Sequence, residues 1–370
     1  MAVLEKSRLE ELRAERSEEL RRLRAEGQKV VGYFCLYAPV ELVRAAGAIP
    51  IRLARADYQS SVLGERFLRV DACPFVKASL GKFLTDPAYQ QVDAVVSVNT
   101  CDMMRRLPEA ISANFNIPVF SLYLPRTSEP FPDRLVVFQA GMVDLKDRLL
   151  KLTGRKWQDE RLVPEIAVSN RLRRRLQELD RARVAENPGL RASELFEIIA
   201  LASFLSPETM EKLLNEIRPI SSSALGQRRN RLLLTGSIVA EEDRMLIEIV
   251  EEKAEIVADT ICTGSRWFWG EISEKGEPFA ELARFYFTRP PCACRRPNTA
   301  LLDHIRRLVR ERRVQGIISK SLLYCDAYRF EVQRLREDVG LPVLDVDGDY
   351  SVENRQQLRT RIEAFLEMLR

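Results

Sequence analysis

The chain has 370 residues, 58 basic and 54 acidic, a net charge of +4, and is 46% hydrophobic and 30% charged. That length exceeds one ordinary core and implies two domains, and the composition excludes a disordered or fibrous chain. Near-balanced charge gives no sign of a nucleic-acid partner.

Residues 4–26 read as an exposed helix, with Leu9, Leu12, Leu20 and Leu23 as a narrow apolar stripe that packs on the body or on a partner chain. This segment is charged throughout and has no apolar signal core. Runs such as "DAVVSV" and "LFEIIALASFL" are too short or too broken to span a bilayer, so a cytoplasmic protein without membrane contact is expected. "KVVGYFC" is then a short apolar run ending at Cys35, and "PVELVRAAGA" a helix with Pro39 near its start and Gly47 near its end. "IPIRL" is the next run, "CPFVKASLGKFL" a helix opened by Cys73 and Pro74, "VDAVVSVNTCD" a buried strand ending at Cys101, and "NIPVFSLYLP" another strand. Residues 139–218 are mostly helical, with an amphipathic "RLRRRLQELDRARVAEN" and a more apolar "ASELFEIIALASFLS".

The strand–helix rhythm restarts with "RLLLTGSIV", the helix "EEDRMLIEIVEEK", and "AEIVADTICTGSRWFW", a strand running into a loop at Cys262. "PCACRRPNTALLDHIRRLVRER" is a loop followed by a helix, "VQGIISKSLLYCD" a strand ending at Cys325, "LPVLDVDGD" a final strand and "NRQQLRTRIEAFLEML" a closing helix. Strands alternating with helices imply a parallel, wound sheet. The two halves repeat one order: a cysteine-bearing segment, a helix, an apolar strand, Cys-Asp, a helix, then "IPVF" or "LPVL".

Seven cysteines are an odd count, which argues against a disulfide framework in a reducing compartment. Cys35, Cys101, Cys262 and Cys325 follow strands, where wound sheets hold ligands, and Cys73, Cys292 and Cys294 sit in loops leading into helices. Buried core thiols have no reason to favour such places. There is no C-x-x-C, and the single histidine, His304, lies inside a predicted helix and reads as a helix-face residue, so the pattern suits an iron–sulfur cluster better than structural zinc. No phosphate-cradling loop, G-x-G-x-x-G or G-x-S-x-G elbow occurs, and one histidine leaves little room for a hydrolase.

"GYFCLYAPVELVRAAGAIPIRL", "ACPFVKASLGKFL", "NTCDMMRR", "CTGSRWF", "PPCACRRPN", "YCDAYRFE" and "DGDYSVENRQQLRTRIEAFLEML" resemble the 2-hydroxyacyl-CoA dehydratase D-component / benzoyl-CoA reductase family. The resemblance runs from about residue 28 to the C-terminus. It implies an α/β fold: two Rossmann-like wound parallel-sheet domains with a helical connector and an N-terminal helix. The boundaries read as 1–27 for the helix, 28–138 for the first cluster-binding domain, 139–228 for the connector, and 229–370 for the second cluster-binding domain with its C-terminal helix.

Dehydratase subunits of that family hold one 4Fe–4S cluster on three cysteines, matched here by Cys73, Cys101 and Cys325. The fuller set here resembles the double-cubane branch, homodimers in which six cysteines hold two linked 4Fe–4S units. The implied ligands are Cys35, Cys73, Cys101, Cys292, Cys294 and Cys325, with Cys262 the seventh, able to take the place of Cys292; Pro290 and Pro291 would stiffen the "CAC" loop. The implied activity is an iron–sulfur oxidoreductase that takes low-potential electrons from a separate ATP-hydrolysing iron–sulfur activator and reduces a small unsaturated molecule. The alternative is a subunit of a 2-hydroxyacyl-CoA dehydratase, a lyase, or of a benzoyl-CoA reductase, with a single 4Fe–4S cluster, acting on a CoA thioester through a ketyl radical beside a different subunit. A third, non-enzymatic reading is a zinc-stabilised scaffold. Arg266, Trp267, Tyr328 and Glu331 are candidate small-molecule contacts, Trp267 and Trp269 also suit interdomain packing, and Asp102 and Asp326 suit either substrate contact or capping of the next helix.

Overall fold

The computed structural model describes residues 6–129, 131–184, 190–217, 229–241, 243–289, 291–351 and 355–369. Residues 4–5 of the first helix, 185–187 of the amphipathic segment, 218–228 of the connector, Pro290 and Asn354 therefore lie outside the described residues. Among those described, eight strands form: β1 (Lys29–Tyr33), β2 (Ala48–Arg52), β3 (Ala94–Val98), β4 (Val119–Leu122), β5 (Asn230–Gly236), β6 (Ala254–Asp259), β7 (Gly316–Leu322) and β8 (Val343–Gly348). They make two sheets, ordered β2-β1-β3-β4 and β6-β5-β7-β8, and every pairing is parallel. The α/β expectation holds in both halves.

The strands are apolar because each sheet is covered on both faces. In β1 and β3, Val31 and Val96 face the helix Pro132–Thr153 through Phe138 and Met142. Val30 and Val95, one residue earlier, face the helices Pro74–Thr85 and Asp102–Phe115 on the other side. The second sheet alternates likewise: Leu232 and Leu234 pack toward Arg244–Lys253 and Arg355–Met368, and Leu233 toward Thr299–Glu311. Pro50 is tolerated because β2 is an edge strand.

Two helices carry no marked sequence signal. Tyr58–Gly64 is capped by Asp57, whose carboxylate accepts from Ser60 N at 2.7 Å. It crosses Pro74–Thr85 almost backbone to backbone: a Cβ on Gly64 would lie 2.0 Å from Lys77 O, and one on Gly81 2.0 Å from Ser60 O. The second, Pro278–Thr288, leaves the second half and packs on the first sheet, with Phe287 5.9 Å from Phe138. The two halves are thereby interlocked.

The N-terminal helix, Lys6–Ala25, lies on the body. Leu20 enters the first sheet's core, while Leu9 and Leu12 join the connector helices Leu162–Ala182, Ala192–Ala202 and Pro207–Glu216. Helix begins at Pro132, ahead of the expected start at 139, because Pro132 sits at the first helical position where proline is preferred. No helix among the described residues is long and apolar enough to cross a membrane.

Phe34, Ile238, Leu322 and Tyr350 follow or end β1, β5, β7 and β8, and all four join one core cluster. The carboxyl ends of the two sheets therefore face each other, as the loops of wound sheets do around a ligand.

Candidate metal centre

All seven cysteines are free thiols and all are partly buried. Cys73, Cys101 and Cys325 stand at the N-cap positions of Pro74–Thr85, Asp102–Phe115 and Asp326–Val339. A helix start exposes unpaired N–H groups and a positive dipole end, which suits an anionic sulfur. Cys101 Sγ already accepts from Met104 N at 3.5 Å. Cys35 follows β1 and Cys262 follows β6, while Cys292 and Cys294 lie in a tight turn closed by Arg295 N on Cys292 O at 3.0 Å.

The thiols of both halves form one connected set. The Cys294 thiol hydrogen-bonds to Cys101 and Cys292, which raises its own pKa and lowers theirs. Burial, and next the neighbouring Cys292, pushes the Cys35 thiol up to about 12, with Cys262 also close. Burial and then Cys325 push Cys73 up to about 12, and burial lifts Cys325 to about 11. Two groups emerge: Cys73, Cys101 and Cys325 on one side, and Cys35, Cys262 and Cys292 on the other, with Cys294 between Cys101 and Cys292. Among the described residues, no three His, Cys, Asp or Glu side chains converge on a point as ligands of one metal ion do. An inorganic metal–sulfur core spreads its thiolate ligands over several corners, so it does not require three side chains to meet at one point.

The surroundings call for an anionic occupant. Arg52, Arg289 and Arg295 are at most 7% exposed, and none has a carboxylate partner among the described ion pairs. Instead they tie backbone carbonyls of the thiol-bearing loops. Arg52 Nε bonds Phe34 O at 3.3 Å and Nη1 bonds Cys262 O at 2.8 Å; Arg289 reaches Leu36 O at 3.0 Å and Arg266 O at 2.7 Å; Arg295 Nε bonds Pro125 O at 3.2 Å. Buried guanidiniums without counter-charge are costly, and a thiolate-bound cluster would supply that charge to Arg52 and Arg295, which act on Cys35 and Cys292. Two buried donors are also left without acceptors, Arg52 Nη2 and the Tyr350 hydroxyl, and Tyr350 lies within electrostatic reach of Cys73 and Cys262. Burial raises the Tyr350 pKa well above the ordinary value, so the hydroxyl keeps its proton as a donor. The thiols, the cationic shell and the orphaned donors fit an anionic metal–sulfur group.

The other candidates separate. Arg266 and Tyr328 are at the thiols, with Arg266 Nη1 donating to Tyr328 Oη at 3.3 Å. Burial opposes the charge on Arg266, yet Tyr328 and the Cys292 thiol outweigh it and hold the guanidinium cationic. Trp267 packs with the connector helices, and Trp269 meets His304 edge to face, ring centroids 3.7 Å apart and planes at 60°. His304 is a half-buried helix residue whose pKa burial, then Arg307, pushes down to about 3. Glu331 is a buried tie, bonded to Arg296 and to Asn298 Nδ2, which anchors the end of the "CAC" loop. Asp102 and Asp326 are exposed first-turn residues and are not the caps; the cysteine before each holds that position. Asp102 pairs with Arg126 at 3.2 Å. Sequence reasoning passed over Arg52, Arg289, Arg295 and Tyr350. The basic residues around "CAC" were the one available signal.

The profile of the family described as "2-hydroxyglutaryl-CoA dehydratase, D-component" matches residues 35–369. The chain belongs to this D-component family. Among its relatives is a protein of Escherichia coli (strain K12), provisionally named dehydratase subunit YjiM, 28% identical over 94% of this chain and 93% of its own. The (R)-phenyllactyl-CoA dehydratase beta subunit of Clostridium sporogenes is 24% identical over 93% of this chain and 92% of its own. A benzoyl-CoA reductase subunit of Thauera aromatica is 22% identical over 81% of this chain and 79% of its own. The D-component resemblance read from the motifs is therefore correct, and these relatives are named as subunits of dehydratases and a reductase.

Proposed function

We propose that this D-component protein is a cytoplasmic iron–sulfur reductase holding a double-cubane type cluster, two linked 4Fe–4S units, on Cys35, Cys73, Cys101, Cys292, Cys294 and Cys325. Cys262, beside Cys35, is the alternate ligand in place of Cys292. The observation that carries this reading is the gathering of seven thiols from both sheets into one connected set, where a single cubane needs at most four.

A bound cluster would supply low-potential electrons to a small unsaturated substrate. The chain's own groups prepare the place. Arg52, Arg289 and Arg295 tie down the thiol-bearing loops, and Arg52 beside Cys35 and Arg295 beside Cys292 balance negative charge. Arg266 fixes the Tyr328 hydroxyl beside the thiols. Phe34, Phe75 and Leu322 belong to the apolar cluster against which Cys73, Cys101, Cys262 and Cys325 pack. Burial keeps Cys35, Cys73 and Cys325 protonated in the empty chain, so loading releases protons and weakens as pH falls. Electrons would come from a separate ATP-hydrolysing iron–sulfur activator, and the working form would be a homodimer.

A second reading, a dehydratase or benzoyl-CoA reductase subunit with one 4Fe–4S cluster acting on a CoA thioester beside a different subunit, is favoured by the names of the relatives. Iron and acid-labile sulfide per chain after anaerobic purification decide between them. Roughly eight irons per chain in a homodimer supports the double cubane; about four, together with a second and different protein that co-purifies, supports the dehydratase; zinc without iron sinks both.

A further inference from the structure

A cavity of about 560 Å³ lies between the N-terminal helix, the edge strand β2 and the helix Leu162–Ala182. No cysteine lines it. Its inner end is walled by Leu36, Trp267 and Tyr286 together with two buried guanidiniums, Arg173 and Arg289. Arg173 is 3% exposed; Nη2 bonds Glu41 Oε1 at 2.6 Å and Nη1 bonds Asn170 Oδ1 at 3.3 Å, but Nε is buried without a partner. Arg289 bonds only carbonyl oxygens, of Leu36, Arg266 and Trp267. Both stack on Phe285, at 4.6 and 5.2 Å from its centroid.

The charges here do not balance. Arg44, Arg173 and Arg289 face two carboxylates, Glu41 and Glu165, so one buried positive charge is left over. Burial, with the neighbouring Arg173 and Arg266, outweighs the help of Tyr286 and Glu41 and pushes Arg289 down to about 10. The rest of the wall mixes apolar side chains, Val168, Leu172 and Leu205, with the polar and charged Arg16, Glu19, Gln28 and Glu208, and the volume is that of a small-molecule site.

We propose that this cavity binds a small organic acid as its carboxylate, seated against the guanidiniums of Arg173 and Arg289, with its apolar body along Val168, Leu172 and Trp267. A single carboxylate matches the single excess charge, and its planar oxygens suit guanidinium donors. The ligand would then lie beside Leu36, the residue after Cys35, without touching a thiol.

The test is thermal unfolding and tryptophan emission of the anaerobically purified full chain, titrated with benzoate, butyrate and inorganic phosphate against chloride at equal ionic strength. Benzoate and butyrate are expected to raise Tm in a saturable way, as a ligand of the folded state does. Val168→Trp, which fills the cavity without touching either arginine, should abolish that rise, and Arg155→Gln at the exposed mouth should keep it. No saturable rise with either carboxylate in the wild-type chain overturns the proposal whatever the variants do. A rise that survives Val168→Trp moves the site elsewhere and also overturns it, and phosphate outcompeting both carboxylates refutes the monocarboxylate assignment. Iron content is measured separately, so this outcome stands apart from that of the cluster.

Discussion

The first sheet, β2-β1-β3-β4, and the second, β6-β5-β7-β8, share one strand order yet distribute their thiols differently. After the third strand in chain order both carry Cys-Asp, at Cys101 and Cys325, each at a helix N-cap. After the first strand, the first half carries Cys35 where the second has Gly236 and Ser237. Gly236 has φ +125°, and a Cβ there would lie 1.9 Å from Lys320 O, so the second half closes its backbone tightly at the point where the first opens a loop for a thiol. Directly after the second strand the roles reverse: the second half carries Cys262 three residues on, whereas the first has no thiol until Cys73 at the start of Pro74–Thr85. A repeated fold thus supplies an unrepeated set of thiols, and the asymmetry gives the centre two groups instead of two copies of one.

The largest expected effect tests that asymmetry directly. Cys101→Ser and Cys325→Ser should each remove at least half of the bound iron, whereas Cys262→Ser should leave it unchanged; if Cys262→Ser loses half the iron, Cys262 belongs in the set. Iron and sulfide analysis of the purified variants reads this out. Next comes a polar feature of the second sheet alone. β7 buries Lys320 on Asp243 at 2.7 Å, whereas β3 carries only Ser97 as a polar side chain. Lys320→Met, which strands the Asp243 carboxylate, should cost about 3–5 kcal/mol in chemical denaturation. In the first half, Gly81→Ala should force apart the helices Tyr58–Gly64 and Pro74–Thr85 and cost roughly 1–3 kcal/mol.

The smallest effect concerns acid stability, and it too separates the halves. Burial alone would raise the pKa of Glu41, in the first half, but Arg173, Arg44 and the Tyr286 hydroxyl outweigh it and hold the carboxyl at about 2. A folded-state value below the unfolded one adds stability above the ordinary carboxylate range, and that stability drains away as pH falls toward 2. Glu41→Gln should therefore flatten the acid limb of stability against pH without changing its slope near neutrality. An unchanged acid limb would mean that Glu41 is not held charged.

Much of this was legible in the sequence, for identifiable reasons. Strands buried on both faces write continuous apolar runs, as in "AVVSV" and "GIISKSL", and glycine or proline punctuates the turns between them. Cysteines placed just after such runs had to lie at the carboxyl ends of the sheets. The helix Tyr58–Gly64 was harder to see, because its seven residues make only about two turns, held by glycine-mediated contact with a helix ten residues on. The helix Pro278–Thr288 gave no hint that it would cross to the first sheet, since its apolar face fits either core. Asp102 and Asp326 misled for a local reason: aspartate is the usual cap, and here the cysteine one residue earlier takes that place.

By itself, then, the sequence determined two wound α/β halves, a helical region between them and a thiol at the end of each relevant strand, because periodicity and turn chemistry are local properties. Only the tertiary structure decided that the seven thiols join one connected set, that Arg52, Arg289 and Arg295 bind carbonyls instead of carboxylates, and that Tyr350 keeps an unpartnered hydroxyl within electrostatic reach of Cys73 and Cys262. Those facts depend on contacts between residues hundreds of positions apart. A guanidinium in the chain gives no local sign of whether its charge will be paired, solvated or held for an anion.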